Sequence, residues 1–271
     1  MNKQDLAWEK VQLARHLKRP TSQTLINELF PDFIELHGDR LFSDDISIIG
    51  GIATFNGQPI TVIGEEKGYN TDSKIMHNFG MPHPEGYRKA KRLFFQAEKF
   101  HRPIFLIVDT PGAYPGIGAE ERGQAEAIAA NIQTLMKVKT PVFVVILGEG
   151  GSGGALAIGV GDFVMMFENS IFSILSPEGF ASIVYKDSNK AKEAAAMMKL
   201  TASDLFDLQA IDAILPEGGG LHLDHSFGFN VLKDKLQQLL LLYKKIPIDE
   251  LVAKRYLKYR KMGIFQEGHH E

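Results

Sequence analysis

A glycine-rich stretch in the middle of this 271-residue chain could do chemistry through its backbone. An apolar run, Pro141–Leu147, predicts a buried strand before it, and Ala155–Ile158 predicts the start of a helix after it. A bare turn between a strand and a helix presents backbone N–H groups that stabilise negative charge. Glycine also lets a substrate approach the main chain, because no side chain stands in the way. The glycines concerned are Gly148, Gly150, Gly151, Gly153 and Gly154.

The same stretch matches the dinucleotide-binding fingerprint. Gly148-x-Gly150-x-x-Gly153 has the required spacing, and Glu168 stands where the fingerprint places its ribose-binding acid. The fingerprint normally opens the first strand–helix unit, however, and here about half of the chain precedes it. No Lys-Ser or Lys-Thr follows the glycines, which excludes a phosphate-binding P-loop.

A third motif, Gly150-x-Ser152-x-Gly154, matches the nucleophile elbow of serine hydrolases. Possible triad partners follow in the required order along the chain. The histidines lie in a second glycine-rich segment, where the sequence favours exposed, solvated histidines over a triad. These partners are Asp212 and either His222 or His225.

A purely structural role is also open, because glycine permits close packing of a helix on a sheet. One or two glycines would favour that interpretation. Five within seven residues at the end of a strand favour a functional turn.

Composition excludes several classes of function. The chain has no cysteine, which rules out disulfides, thiolate zinc sites and cysteine nucleophiles. Its net charge of −3 provides no basic excess for binding nucleic acid. There is neither a signal-peptide pattern nor an apolar run long enough to span a membrane, so we expect a cytoplasmic protein.

The elements that position the glycines can be read from periodicity. Pro103–Asp109 is a second apolar run that ends in a turn, Thr110–Ala113, so a strand–turn–helix unit occurs twice. Repeated units of this kind predict an α/β fold with a parallel sheet. The helix between the two strands has a regular apolar face of Ala125, Ile128, Ala129, Ile132, Leu135 and Met136. The other predicted elements are a helix over 4–17, strands over 46–55 and 59–66 joined by a hairpin at Asn56–Gly57, a polar loop over 68–85, a helix over 86–100, strands over 163–167 and 172–174, and helices over 190–199, 203–209 and 228–243.

Long and unusual strings resemble the carboxyltransferase α subunit of the bacterial and plastid multisubunit acetyl-CoA carboxylase. The likeness extends from about residue 15 to the C-terminus. The strings are Arg15-His16, DFIELHGDR from Asp32, NFGMPHPEGYRKA from Asn78, DTPGAYPG from Asp109, AEERGQ from Ala119, the stretch from Gly148 to Asp162, and SPEG from Ser176.

The resemblance implies the crotonase (ClpP-like) fold, a repeated ββα superhelix, here with helical termini. We expect a single domain over 1–271, with an N-terminal helical segment over about 1–30, a crotonase-like core over about 30–245 and a C-terminal helical tail over about 246–271. The family usually carries His-Gln before Lys-Gly at the end of an early strand. This chain instead has Glu65 and Glu66 before Lys67.

The implied reaction moves a carboxyl group from carboxybiotin, held on the biotin carboxyl carrier protein, to acetyl-CoA, and gives malonyl-CoA for fatty acid synthesis. Negative charge develops on the biotin ureido oxygen, and N–H donors stabilise it. By motif match the catalytic donors are the amides of Gly153 and Gly154. The expected biotin-binding residues are Gly150, Gly151, Gly112 and Ala113.

The resemblance also implies partners. A β subunit would form an α2β2 core with this chain, bind the coenzyme A thioester and carry a zinc ribbon. We expect no metal on this cysteine-free chain. Biotin carboxylase would join in the full complex, and neither nucleic acid nor membrane is expected to bind.

Charged side chains give further expectations. Arg122 either binds a carboxylate of coenzyme A or biotin, or forms an ion pair with Glu126. His77 and His83 are expected to pack within their loop rather than to bind metal. Lys254–Lys261 is interpreted as a solvated helix face.

One apolar cluster has more leucines than a single buried helix face needs. Leu239–Leu242 stands at the end of a predicted helix, and four consecutive leucines cannot all face the core. We therefore expect an oligomer interface there.

Overall fold

Twelve α-helices and eight strands form the part of the chain that the computed structural model describes, residues 3–263. The strands are β1 (Ile34–Glu35), β2 (Ile48–Phe55), β3 (Gln58–Glu65), β4 (Ile104–Thr110), β5 (Val142–Gly151), β6 (Phe163–Phe167), β7 (Ile171–Ser173) and β8 (Ala213–Leu215). The helices are α1 (Lys3–Ala14), α2 (Ser22–Leu29), α3 (Thr71–Met76), α4 (Pro84–Lys99), α5 (Ile117–Glu121), α6 (Gln124–Lys137), α7 (Ser152–Leu156), α8 (Pro177–Val184), α9 (Ala191–Met197), α10 (Ala202–Asp207), α11 (Ser226–Tyr243) and α12 (Ile248–Arg260). Short 3-10 turns cover Asn78–Gly80 and Ser188–Lys190.

All eight strands belong to one sheet. Seven of them follow the order β1-β2-β3-β4-β5-β6-β8, and β7 pairs with the far end of β5. The pairs β1/β2 and β2/β3 are antiparallel, and every other pair is parallel. The predicted hairpin is confirmed: Asn56 and Gly57 join β2 to β3 with φ values of 50° and 79°, as a two-residue turn between twisted strands requires.

The core lies on both faces of this sheet. On β4, Phe105 and Ile107 pack toward α2 and α11, while Leu106 and Val108 pack toward α4 and α6. Strand β5 alternates in the same way, and both strands are buried along their whole length. The three-layer arrangement explains why these two runs are apolar throughout, since each face of the sheet meets helices.

Several predicted boundaries differ from the structure, two of them in a way that changes an element. Strand β5 does not end at Leu147 but continues through the first glycines to Gly151, because its end pairs with both β4 and β7. The segment predicted as a polar loop over 68–85 holds α3 and the start of α4. Asn70 caps α3 by accepting the Ser73 N–H at 2.8 Å, and Pro84 opens α4 at a position where no N–H is needed.

Strands β1 and β8 were absent from the prediction. Three helices were also not predicted individually, namely α5, α8 and α2, although α2 falls within the predicted N-terminal helical segment. They have eight residues or fewer, which is too short for a clear helical period. The C-terminal helix is α12, and residues 264–271 of the predicted tail lie outside the described residues. The division into one domain with its three segments stays a prediction.

The basic segment Lys254–Lys261 is not a simple solvated face, as the sequence suggested. Arg255 is fully buried and forms an ion pair with Asp162 at 2.7 Å, because α12 packs across the start of the parallel strands. Lys258 contacts Asp212, whereas Lys254 is exposed.

The leucine cluster divides between core and surface. Leu239 and Leu240 are buried in the core, while Leu241 and Leu242 are 62% and 58% exposed. The expected interface therefore has two of the four leucines available and stays a prediction. No helix within residues 3–263 combines the length and the apolar character that crossing a membrane requires.

Candidate active site

The glycine turn brings two strand ends into direct backbone contact. A Cβ atom on Gly151 would lie 2.1 Å from the Pro111 carbonyl oxygen, and one on Gly154 would lie 2.6 Å from the Ala113 nitrogen and from the Gly112 carbonyl carbon. Any side chain at these two positions would push the end of β4 away. The structure thus places four of the six predicted site residues together, with main chain against main chain.

Thr110 fixes the turn that leaves β4. Its buried hydroxyl lies 2.6 Å from the Gly80 carbonyl oxygen and 2.8 Å from the Gly112 carbonyl oxygen, and it accepts the Gly112 N–H at 2.9 Å. These contacts hold the Gly112–Ala113 segment against the glycine turn. The sequence left two interpretations open for Thr110, as a residue that lines the site or as part of a strand-end turn.

Helix α7 begins at this contact. Its first residue, Ser152, has a φ of 52°, an uncommon left-handed conformation for a residue other than glycine. The N–H groups of the first turn have no partner within a helix, and in α7 these include the amides of Gly153 and Gly154. Gly150 and Gly151 lie within buried β5, where Gly150 packs against the Phe172 ring.

Gly153 borders an open cleft of about 270 Å³. Apolar surroundings strengthen the interaction of an N–H donor with negative charge once a bound ligand or a partner excludes water from the cleft. The cleft is lined by Ser152, Gly153, Leu156, Phe172, Ser173, Ile174 and Leu205.

Charged groups lie behind the turn rather than in the cleft. Asp109 is buried at the end of β4, where it binds the Lys67 ammonium at 2.6 Å and accepts the Glu149 N–H at 2.9 Å. Glu65 is buried beside it and accepts the Asp109 N–H at 3.2 Å. Burial, reinforced by the negative charge of Asp109, raises the pKa of the Glu65 carboxyl well above its ordinary value.

Two arginines attach the N-terminal segment to the same strand end. Arg15 binds Glu149 at 2.6 Å and Glu178 at 2.9 Å. Arg19 donates to the Leu147 carbonyl oxygen at 2.6 and 2.9 Å, and it binds Glu217. Neither arginine was predicted to have a role, although two arginines around the end of a predicted helix were a usable signal.

Glu217 is a buried carboxylate that stays charged. Burial alone would raise the pKa of this carboxyl, but the hydrogen bond and the positive charge of Arg19 lower it below its ordinary value. The Glu217 carboxylate also accepts two backbone N–H groups and the Asn169 amide, which satisfies its remaining hydrogen-bonding capacity.

The structure does not assemble the triad that the elbow motif would need. Each of the three possible partners of Ser152 is engaged by another side chain, because strand β8 and the segment after it lie beside β6 rather than beside α7. Asp212 binds Lys258, His222 stacks on His16 with ring centroids 4.4 Å apart, and His225 pairs with Glu28 at 3.1 Å.

The dinucleotide motif fits no better. Helix α7 has only five residues, which is too short for the helix that follows the fingerprint. Glu168 accepts the Glu217 N–H at 2.6 Å and so holds a strand end.

Arg122 does not form the predicted ion pair with Glu126, and its predicted contact with a carboxylate of coenzyme A or biotin stays a prediction. Its partner is Glu85 at 2.7 Å, not Glu126, because the turn between α5 and α6 packs on the start of α4. His77 and His83 take part in loop packing, as expected: His77 lies 2.7 Å from the Ser73 carbonyl oxygen, and the His83 ring stacks on Tyr114.

Comparison with solved structures shows the fold. The chain is similar to the transcarboxylase 12S core with methylmalonyl-coenzyme A bound, with a TM-score of 0.68 and 16% identity over 82% of this chain and 41% of that protein. It is also similar to the Pseudomonas malonate decarboxylase hetero-dimer, with a TM-score of 0.64 and 16% identity over 79% of this chain and 88% of that one. The crotonase-like fold expected from the resemblance is confirmed.

Sequence comparison shows the family. A family profile described as "Acetyl co-enzyme A carboxylase carboxyltransferase-like" matches residues 3–263. The acetyl-coenzyme A carboxylase carboxyl transferase subunit alpha of Halalkalibacterium halodurans is 52% identical over 95% of this chain and 80% of the relative. The subunit of the same name from Geobacter sulfurreducens is 53% identical over 96% of this chain and 82% of the relative. The chain therefore belongs to the family of acetyl-coenzyme A carboxylase carboxyl transferase alpha subunits, and it is an enzyme subunit.

Proposed function

We propose that this chain supplies the half of a carboxyltransferase site that stabilises negative charge on biotin. The reaction is transfer of a carboxyl group from carboxybiotin to acetyl-CoA, which gives malonyl-CoA. One observation carries the assignment to this site: Gly151 and Gly154 are held against the Pro111–Ala113 backbone at distances that no side chain would allow.

The amides of Gly153 and Gly154 are the proposed donors. They belong to the first turn of α7, whose N–H groups have no partner within the helix. The ureido oxygen of biotin gains negative charge as the carboxyl group leaves, and fixed donors stabilise that charge without reorganising. Loss of one such donor in other enzymes costs about 2.7–4 kcal/mol of transition-state stabilisation.

The other predicted site residues would shape the approach to these amides. Gly112 and Ala113 face Gly154 and would border the bound ureido group. Gly150 and Gly151 would act by letting the two strand ends meet. The apolar cleft beside Gly153 suits the sulfur-containing ring of biotin, which has few polar atoms to satisfy.

We propose that a β subunit completes the site. It would provide the amides that hold the acetyl-CoA thioester, and it would carry the zinc ribbon of the family. Leu156 and Ile174 border the cleft and are 44% and 75% exposed, which suits burial by a partner. The expected assembly is an α2β2 core served by the biotin carboxyl carrier protein, in the cytoplasm.

Mixing the chain with a candidate β subunit tests this function. The assay is carboxylation of biocytin that depends on malonyl-CoA, measured against the concentration of β subunit. We expect no transfer by the chain alone and saturable activity on mixing, because each subunit supplies one of two charge-stabilising sites. Full activity from the isolated chain would contradict the divided site.

A further inference from the structure

Two buried carboxyl groups lie directly behind the glycine turn, at the ends of neighbouring strands. Glu65 ends β3, Asp109 lies one residue before the end of β4, and both are fully buried. One oxygen of each, Oε1 of Glu65 and Oδ2 of Asp109, has no hydrogen-bond partner among the described residues. The reaction proposed above does not use either group.

The cations around this pair do not balance two negative charges. Lys67 binds Oδ1 of Asp109, which also accepts the Glu149 N–H. The Glu65 carboxyl has the Asp109 N–H as its one hydrogen-bond donor among the described residues. From α4, burial first of all raises the pKa of the nearby Tyr87 hydroxyl, so this hydroxyl is uncharged and adds no positive charge beside Glu65.

The other neighbours of Glu65 bring no positive charge to its carboxyl. Ser22 on α2 donates to the Glu65 main-chain carbonyl at 2.6 Å, not to the side chain. Glu66 uses its own carboxylate to accept the N–H groups of Gln23 and Gly68. A charged Glu65 would therefore stand beside charged Asp109 with a single lysine between them.

We propose that Glu65 is a positioning residue that works as a neutral carboxylic acid. In that form Glu65 accepts the Asp109 N–H and does not compete with Asp109 for the Lys67 ammonium. This contact holds the end of β4 against the glycines of β5. The Gly112–Ala113 turn follows Asp109 by three residues, so its place against Gly154 depends on this contact. The effect on catalysis rests on the proposed function, whereas the protonation state does not.

The pH dependence follows from the sign of the shift. Burial first, and then the charge of Asp109, raise the pKa of Glu65 far above its ordinary 4.5. The folded chain therefore keeps a proton that the unfolded chain loses above that pH. At low pH, Glu65 is protonated in both the folded and the unfolded chain, so its burial does not lower the free energy of unfolding. That free energy falls as the pH rises toward the pKa of Glu65 in the folded chain, because only the unfolded chain loses the proton.

Infrared spectroscopy of the full chain tests the protonation state. We expect a carbonyl stretching band of a protonated carboxyl at neutral pH that disappears in Glu65→Gln. The matched control is Glu217→Gln, which replaces an equally buried carboxyl that is paired with Arg19 and should leave the band unchanged. Identical spectra for the wild type and Glu65→Gln would overturn the proposal.

Thermal unfolding gives a second readout of the same group. The melting temperature of Glu65→Gln should match the wild type near pH 4 and exceed it increasingly as the pH rises. A constant difference across the pH range would contradict a titrating Glu65.

Activity of the complex with the β subunit tests positioning. Glu65→Gln should keep its kcat at neutral pH, while Glu65→Leu should lower kcat about tenfold with KM unchanged, because the Asp109 N–H loses its acceptor. The control Asp212→Leu removes a comparable acceptor of a strand N–H, that of Val164 at 2.7 Å, at the start of β6 and so at the opposite end of the parallel strands, and should keep its kcat.

Each result decides a separate point. An unchanged kcat in Glu65→Leu would overturn the positioning role, and if that variant does not fold, a lowered kcat in Glu65→Gln would overturn it instead. Absence of transfer in the wild-type complex would refute the proposed function, while the infrared band and the melting curves would still decide the state of Glu65.

Discussion

The two ends of strands β4 and β5 differ in one respect. Buried side chains satisfy the backbone at both ends, but only at the carboxyl ends do glycines let two main-chain segments meet with no side chain between them. At the start, the Arg255 guanidinium is inserted between α6 and β6 and forms its ion pair with Asp162. Its further acceptors are the carbonyl oxygens of Leu135, Val138 and Thr140.

Asp162 extends this network into the strand itself. Its carboxylate accepts the Val142 N–H at 2.8 Å, so the first residue of β5 is tied to Arg255 through one side chain. Every guanidinium nitrogen of Arg255 has at least one acceptor. Such a closed network leaves nothing for a ligand, and it indicates a structural end of the sheet.

At the carboxyl ends of the same strands, the glycine turn leaves the main chain uncovered by side chains. Gly151 and Gly154 lie against the Pro111–Ala113 main chain, and the first turn of α7 presents N–H groups that the helix does not use. Side chains also bind the backbone near this end, Arg19 at Leu147 and Asp109 at Glu149, so the feature that separates chemistry from stability is the glycine turn alone.

Removal of the guanidinium should have the largest effect, on stability. Arg255→Met leaves the Asp162 carboxylate buried without its cation, which we expect to lower the free energy of unfolding by about 3–5 kcal/mol. Urea unfolding followed by circular dichroism measures it. Lys254→Met, at the neighbouring exposed position, should change it by less than about 1 kcal/mol. Equal effects of the two substitutions would show that this end of the sheet is not held by the buried pair.

Filling the closest contact at the other end should chiefly affect catalysis. In Gly154→Ala the new methyl group would meet the Gly112–Ala113 backbone at 2.6 Å, so the amides must move. We expect kcat of the complex with the β subunit to fall by about 10²–10³, the loss typical of one displaced donor.

Gly153→Ala sharpens this expectation. Its methyl group would lie 3.7 Å from Ile128, an ordinary contact, so the backbone can stay in place and the loss of kcat should be smaller than for Gly154→Ala. Both variants are checked for folding by circular dichroism. A greater loss of kcat in Gly153→Ala would indicate that the substrate reaches the amides from the cleft beside Gly153 rather than from the side of Gly112.

Sequence reasoning was strongest where one local pattern decides the structure. The Asn56–Gly57 hairpin, the two apolar strands and the helix α6 all depend on neighbours in the chain, and all are confirmed as elements. The predicted apolar face of α6 is not its buried face, since Ala125 and Ala129 are exposed. The buried residues are Gln124, Ala127, Asn131, Thr134 and Leu135. The meeting of Gly112 and Ala113 with Gly154 could be anticipated because the carboxyl ends of parallel strands share an edge.

The missed features all depend on distant partners. Arg255 lies in a basic segment, and only the packing of α12 on Asp162 shows that it is buried. Glu65 looked like an acid beside the site, yet β3 directs it into the interior. The catalytic and binding roles of the glycines stay predictions, since no ligand contact defines them.

Loss of the Thr110 hydroxyl should have an intermediate effect. Thr110→Val keeps the shape of the side chain but leaves the buried Gly112 N–H without its acceptor, at a cost of about 1–3 kcal/mol. We expect both a lower melting temperature and a reduced kcat, because the turn loosens. Thr110→Ser retains the hydroxyl and should recover most of the activity. If the valine variant lost stability without losing kcat, the hydroxyl would serve the fold alone.

The smallest effect is expected where the sequence suggested a nucleophile. Ser152 stands at the strand-to-helix turn with a φ of 52°, as a nucleophile elbow would place it, but Asp212, His222 and His225 are paired elsewhere. Without a base, the hydroxyl has no means of activation. Ser152→Ala should therefore keep kcat within about threefold of the wild type, since backbone amides rather than this side chain stabilise the charge. An active-serine phosphonate should leave the chain unlabelled, and mass spectrometry of the treated protein checks this. Stoichiometric labelling at Ser152 would show that the glycine turn is a hydrolase site. The difference between the two ends of the sheet would then reflect an activated serine rather than exposed backbone amides.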